Sequence, residues 1–225
     1  MHEGSDLRRV WVCAGLAALL GVFTGCQTVH DVTIDAISNQ SKPMGSSYRL
    51  VVHDPTGGVD KELAGTAVAA VKDALAARGL YEAPAGVSPD VVIDYQYGVG
   101  PGEIKILRAP PAMMNSGGIG IQDIDYGDKP IIVFEKFIAL SAREPVPAEA
   151  VNGRASATRK GEEVWNLRVS IEDEKKDLAP YLPVLASVSV DYMGANSGEE
   201  KHVVVKSGDA VENLHRREAQ SRAGK

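Results

Sequence analysis

The stretch "DKELAGTAVAAVKDALAARG", residues 60–79, decides how the rest of the chain is read. Leu63, Ala67, Val71 and Leu75 recur every fourth residue and so share one helical face, while Lys61, Glu62, Lys72 and Asp73 fall on the others. Asp60 is suited to accept an amide hydrogen at the start, and Gly79 to take the left-handed conformation that ends a helix. The spacing predicts a helix over 60–78. Its many alanines keep its profile thin, which suits close packing on a sheet.

Segments on both sides read as strands. "YRLVVHD", 48–54, precedes the helix and ends at Pro55; "VVIDYQY", 91–97, follows it and is rich in β-branched and aromatic residues with alternating polarity. A strand–helix–strand unit results. Upstream, Val29, Val32, Ile34 and Ile37 sit among His30, Asp31, Thr33 and Asp35, as in a half-buried strand. Downstream, residues 98–130 are crowded with Gly and Pro but hold two short alternations, "IKIL" and "IGIQDIDY", expected to form a hairpin or a long excursion at one end of the sheet. "IIVFEKFIALSARE" and "EVWNLRVSIED" read as antiparallel neighbours. Pro180 and Pro183 suit a first helical turn, and Leu182, Leu185, Val188 and Tyr192 continue at helical spacing, so a second helix is expected at 181–193. His202 to Val205 is expected as an edge strand. The fold class is therefore α+β, a mostly antiparallel sheet with two packed helices. No long repeat points to a solenoid.

The N-terminus has a different grammar. Arg8 and Arg9 precede "VWVCAGLAALLGVF", residues 10–23, the order of charge and apolar residues in a secretory signal peptide. That run is shorter than the roughly 20 residues a bilayer span needs. Thr24 and Gly25 then precede Cys26, an arrangement that resembles a bacterial lipobox. Phe23 stands where leucine is usual, and Glu3 and Asp6 dilute the basic segment. The resemblance implies cleavage before Cys26, a diacylglycerol thioether on its sulfur and attachment to a membrane. The expected organisation is a signal peptide at 1–25, one domain with a short tether at 26–210, and a flexible tail at 211–225, since "HRREAQSRAGK" is short, polar and free of aromatic residues. Gln27 is not the aspartate that resembles an inner-membrane retention signal, so the expected location is the outer membrane, facing the periplasm.

Cysteine use fits export without disulfides, because the only other cysteine, Cys13, lies in the segment to be removed. Glu3, Asp6, Arg8 and Arg9 cancel, so removing them leaves the formal charge of −6 unchanged, which argues against nucleic acid as a partner.

Chemical motifs are sparse. Gly98, Gly100 and Gly102 follow a strand, but Pro101 and the β-like "EIKIL" come next, whereas a phosphate cradle needs a helix there. A strand-end bend is the expected role. Asp123, Asp125 and Asp128 look like the start of a calcium loop, yet position twelve would fall on Phe134 and not on a glutamate. The histidines His30, His53, His202 and His215 are isolated and show no zinc spacing. No G-x-S-x-G elbow is present. No cofactor or metal is expected. Trp165 is expected in the core, and Met113 and Met114, apolar residues on a Gly/Pro-rich loop, are a candidate interaction site.

The lipobox, the strand in "SSYRLVV", the helix ending in "ALAARGL", "PDVVIDYQYGVG" and "YLPVLASVSVDYMG" together resemble a bacterial lipoprotein family of unknown function, the DUF4136 type. The resemblance implies an α+β domain on a lipid anchor and carries no catalytic residues. The leading expectation is a non-enzymatic envelope lipoprotein that binds another envelope component. Two others compete: an enzyme acting on cell wall or lipid through carboxylates such as Asp94 or Glu135 with Arg143, and a small-ligand or lipid carrier with a cavity closed by the helices and the Met113 loop.

Overall fold

Alternation of apolar and polar side chains along the strands divides this molecule into two layers. A computed structural model describes residues 28–55, 58, 60–107, 128–146 and 161–223. Cys26, Met113, Met114 and the "IGIQDIDY" segment lie outside the described residues.

In chain order the elements are β1 (Val29–Ser38), β2 (Ser47–His53), α1 (Lys61–Ala77), β3 (Tyr81–Glu82), β4 (Val91–Leu107), β5 (Lys129–Arg143), β6 (Glu163–Asp173), a 3-10 turn (Ala179–Tyr181), α2 (Leu182–Tyr192), β7 (Lys201–Lys206) and α3 (Ser207–Ala223). The strands form one seven-stranded sheet in the order β3-β2-β4-β5-β6-β1-β7. β2 runs parallel to β3 and β4, and every other pairing is antiparallel. The parallel β2–β4 pair is joined through α1, because parallel neighbours need a crossover rather than a tight turn.

The inner face of the sheet carries Val32, Ile34 and Ala36 of β1, Ile93, Tyr95 and Tyr97 of β4, Ile138, Leu140 and Ala142 of β5, and Trp165, Leu167, Val169 and Ile171 of β6, all buried. Against it pack Ala67, Val71, Ala74 and Leu75 of α1 and Leu182, Leu185 and Ala186 of α2. Asp60 caps α1, its Oδ1 accepting the Leu63 amide at 2.9 Å, and Gly79 ends it with φ of 95°. The Tyr95 hydroxyl donates to the Ala67 carbonyl at 3.1 Å, tying sheet to helix inside the core. Trp165 is a core residue, as expected.

Two elements differ from the sequence expectation. The "IKIL" alternation is not a separate strand; it continues β4 past a bulge between Val99 and Gly102. The frayed tail expected from residue 211 is, through Ala223, the helix α3. It packs on α1 and α2, buries Ala210 and Leu214, and accepts the Ser187 hydroxyl on the Ala210 carbonyl at 2.6 Å. Among the described residues the helix layer therefore has three members. Two buried apolar residues one turn apart, in an otherwise strongly polar segment, are too weak a pattern to stand out from a solvated tail.

Candidate functional site

The outer face of the sheet is where charged side chains meet. On β4, Asp94 and Gln96 project outward; their neighbours are Ser141, Arg143 and Ala139 on β5 and Asn166 and Arg168 on β6, as the registers Asp94↔Ser141 and Ser141↔Asn166 require. Together with Glu163 they line a shallow depression of about 290 Å³.

Most of its charged groups are bonded to one another, although Arg143 Nε is buried without a hydrogen-bond partner among the described residues. Asp94 Oδ1 lies 3.0 Å from His53 Nε2, and Asp94 Oδ2 lies 3.7 Å from Arg143 Nε. Arg143 Nη2 donates to Glu163 Oε2 at 3.0 Å, the Ser141 hydroxyl donates to the same oxygen at 3.1 Å, and Asn166 Nδ2 donates to Glu163 Oε1 at 2.7 Å. Farther along the face, the Arg168 guanidinium holds Glu135 with bonds of 2.9 and 3.3 Å and lies 3.9 Å above the Phe137 ring. Such a forked guanidinium–carboxylate pair, braced by an aromatic ring, fixes both side chains in place.

The structure thus brings Asp94 and Arg143 together and leaves Glu135 apart. Asp94 opposes Ser141, six residues along β5 from Glu135. At about 3.3 Å per residue the two are roughly 20 Å apart. A pair of carboxylates working on one glycosidic bond sits about 5–9.5 Å apart, so these two do not form such a pair. Glu163, His53, Asn166 and Arg168 complete the networks and were not singled out as site residues by sequence. Only the register of three strands from distant parts of the chain makes them neighbours.

Gly98 and Gly102 have a packing role on either side of the bulge in β4. A Cβ on Gly98 would stand 3.2 Å from the Phe137 ring, and one on Gly102 would stand 2.9 Å from Ile132 Cγ2 and 3.0 Å from Phe134 Cε1. Their bare backbone lets β5 side chains lie across β4. The histidines stay dispersed: His30 meets the Ser207 hydroxyl at 2.7 Å and His202 lies near Asp31 and Glu200. Among the described residues no group of three or more His, Cys, Asp or Glu side chains could hold a metal ion. At the opposite end of β4, a groove of about 540 Å³ is lined by Arg49, Val87, Pro89, Val92, Pro145 and Val146. Among the described residues no helix is long and apolar enough to cross a membrane.

No protein-family model matches the chain, and no curated protein matches it. Among solved structures, a PelC dodecamer from Paraburkholderia phytofirmans is similar at 12% identity and a TM-score of 0.39, over 73% of this chain and 98% of that one. A PDZ domain protein from Parabacteroides distasonis is similar at 11% identity and a TM-score of 0.42, over 86% of this chain and 42% of that one.

Proposed function

We propose that this protein is a lipid-anchored protein of the bacterial envelope, held at Cys26 on the periplasmic side of the outer membrane, and that it works as a non-enzymatic binding or auxiliary module for another envelope protein. The lipobox-like sequence before Cys26 and the resemblance to the DUF4136 type support the anchor. The binding role rests chiefly on one structural observation. Among the described residues, all three helices lie on one side of the sheet, and the opposite side presents charged groups that are paired with each other.

That pattern favours a recognition surface over a reaction centre. Catalysis needs groups aimed at one reacting point. Here Asp94 is engaged by His53 and Arg143, Glu163 by Arg143, Ser141 and Asn166, and Glu135 by Arg168. A surface of fixed, interspersed charges discriminates among partners by matching their charge pattern, because a like charge brought against it is penalised. The anchor adds to this by raising the local concentration of any partner in the same membrane.

A photo-crosslinking amino acid at Ala139, on the outer face, tests the proposal in the native envelope. The same discrete protein adduct is expected from this site in repeated preparations, with none from a matched site at Glu212 on α3. Absence of a specific adduct, together with turnover of a cell-wall fragment by the purified protein, would contradict it.

A further inference from the structure

Past the bulge, β4 and β5 leave the body of the sheet. β6 ends its pairing at Asp173↔Phe134 and β2 ends its pairing at His53↔Gln96, so Glu103–Leu107 and Lys129–Val133 pair only with each other among the described residues. This two-stranded ribbon has one strongly apolar face. The extra residue at the bulge reverses the phase of β4, placing Ile104 opposite Ile132 and Ile106 opposite Pro130 on the side that carries the core nearer the body. Ile104 is 73% exposed, Ile106 63%, Ile132 54%, and Leu107 on the reverse face 53%. Isolated two-stranded ribbons gain little from such residues in water, and a contiguous exposed apolar patch marks a contact surface.

The start of β1 lies at the same end of the sheet as this surface. β1 and β5 both run antiparallel to β6, so both begin at the same end of the sheet. Val32 opposes Ile171 and Phe134 opposes Asp173, which sets Val29 level with Val133. Thr28 is pinned, its carbonyl accepting the Ser207 amide at 3.0 Å and the Ser207 hydroxyl at 3.2 Å. Only Gln27 separates Thr28 from Cys26. From Val29 to Cys26 the chain spans at most about 10 Å, at roughly 3.3–3.6 Å per residue. From Val133 to Lys129 the ribbon extends about 13 Å at 3.3 Å per residue, two strand spacings or about 10 Å to the side of β1.

From this we infer that the β4–β5 ribbon seats its Ile104, Ile106 and Ile132 face in the lipid surface beside the anchor. The inference rests on the reading of Cys26 as lipidated. With a one-residue leash, a domain whose strands run along the membrane normal cannot stand off far enough to keep a 13 Å ribbon clear of the membrane. The second contact stops the domain swivelling about its tether and sets the sheet upright. Acidic and basic side chains are mixed at this end, with Glu103, Lys105 and Lys129 on the ribbon and Lys105 bonded to Glu172. The contact is therefore apolar in origin and needs no anionic lipid.

The test uses the full lipidated protein, extracted from its membrane and reconstituted in phosphatidylcholine vesicles. Ile104→Cys, Ile132→Cys and, at the far end of the sheet, Ser88→Cys each carry an environment-sensitive nitrobenzoxadiazole label, and some lipids carry nitroxide on their acyl chains. Labels at 104 and 132 are expected to shift to the blue and be quenched, that at 88 to do neither, and added salt to change nothing. Ile104→Asp combined with Ile106→Asp alters exposed side chains only; it is expected to abolish the response of the label at 132 without lowering Tm. Labels at 104 and 132 as wet as that at 88 would overturn the inference. So would shielding of those labels in a lipid-free oligomer, which would make the occupant a second copy. The mass of the same preparation reports Cys26 separately: an acylated protein with wet labels loses the ribbon contact and keeps the anchor, whereas an unacylated one loses the anchor and with it the ribbon's placement.

Discussion

Lys136 is the residue whose environment is least ordinary. It is fully buried, on the inner face of β5, where every comparable position is apolar. Its Nζ donates to the carbonyls of Phe134 at 3.0 Å and Asp173 at 2.7 Å and lies 5.1 Å from the centre of the Tyr181 ring. Burial lowers its pKa, against a smaller opposing pull from the Asp173 carboxylate. Between that lowered value and the ordinary 10.5, the unfolded chain holds a proton that the folded one does not, so folding stability gains as pH rises through this window. Lys136→Met keeps the stem and discards the amine. The Tm of the variant relative to the wild type is expected to fall as pH climbs toward 10.5, and a difference independent of pH would show that Lys136 is not desolvated. Lys136→Ala, which empties the site, is expected to cost about 2–5 kcal/mol in denaturant unfolding, the range for truncating a buried side chain of similar length.

At the scale of elements, α3 makes the sharpest contrast between pattern and packing. Leu214 is buried against the other two helices, so Leu214→Ala is expected to lower stability by about 2–3 kcal/mol, the lower part of the range for Leu→Ala in a core. A flexible tail would register almost no change in the same unfolding experiment. The strands and the first two helices were legible because each carries its own period: Leu63, Ala67, Val71 and Leu75 suffice for α1, and "VVIDYQY" for the start of β4. α3 has two buried anchors among charged residues and carries no comparable signal. The continuation of β4 was hidden by Pro101 and three glycines, which ordinarily end a strand but here accommodate a bulge and close cross-strand side chains. Of the candidate site, the Asp94–Arg143 pair was legible as residue types on adjacent strands. The roles of Glu163, His53 and Asn166 were not, because they follow from register, and register is set by tertiary pairing.

At the scale of the molecule, the two ends and two faces of the sheet have different characters. One face bears the helices and the other the paired charges; one end receives the chain at Val29 and extends the apolar ribbon. On the proposed anchoring, the ribbon end meets the membrane, and the depression around Asp94 and Arg143 stands off by about 26 Å, eight residues along β5 from Val133 to Ser141 at 3.3 Å each. The polar face would then run upright from the membrane, within reach of a partner held in or near the same bilayer. Everything in this arrangement depends on the sulfur of Cys26. Intact mass of the protein extracted from its native membrane tests it most directly. The mass expected is that of residues 26–225 plus a diacylglyceryl group and any further acyl chain, moved to the unprocessed value by Cys26→Ser; an unmodified mass for residues 26–225, or a chain cut elsewhere, would contradict the account.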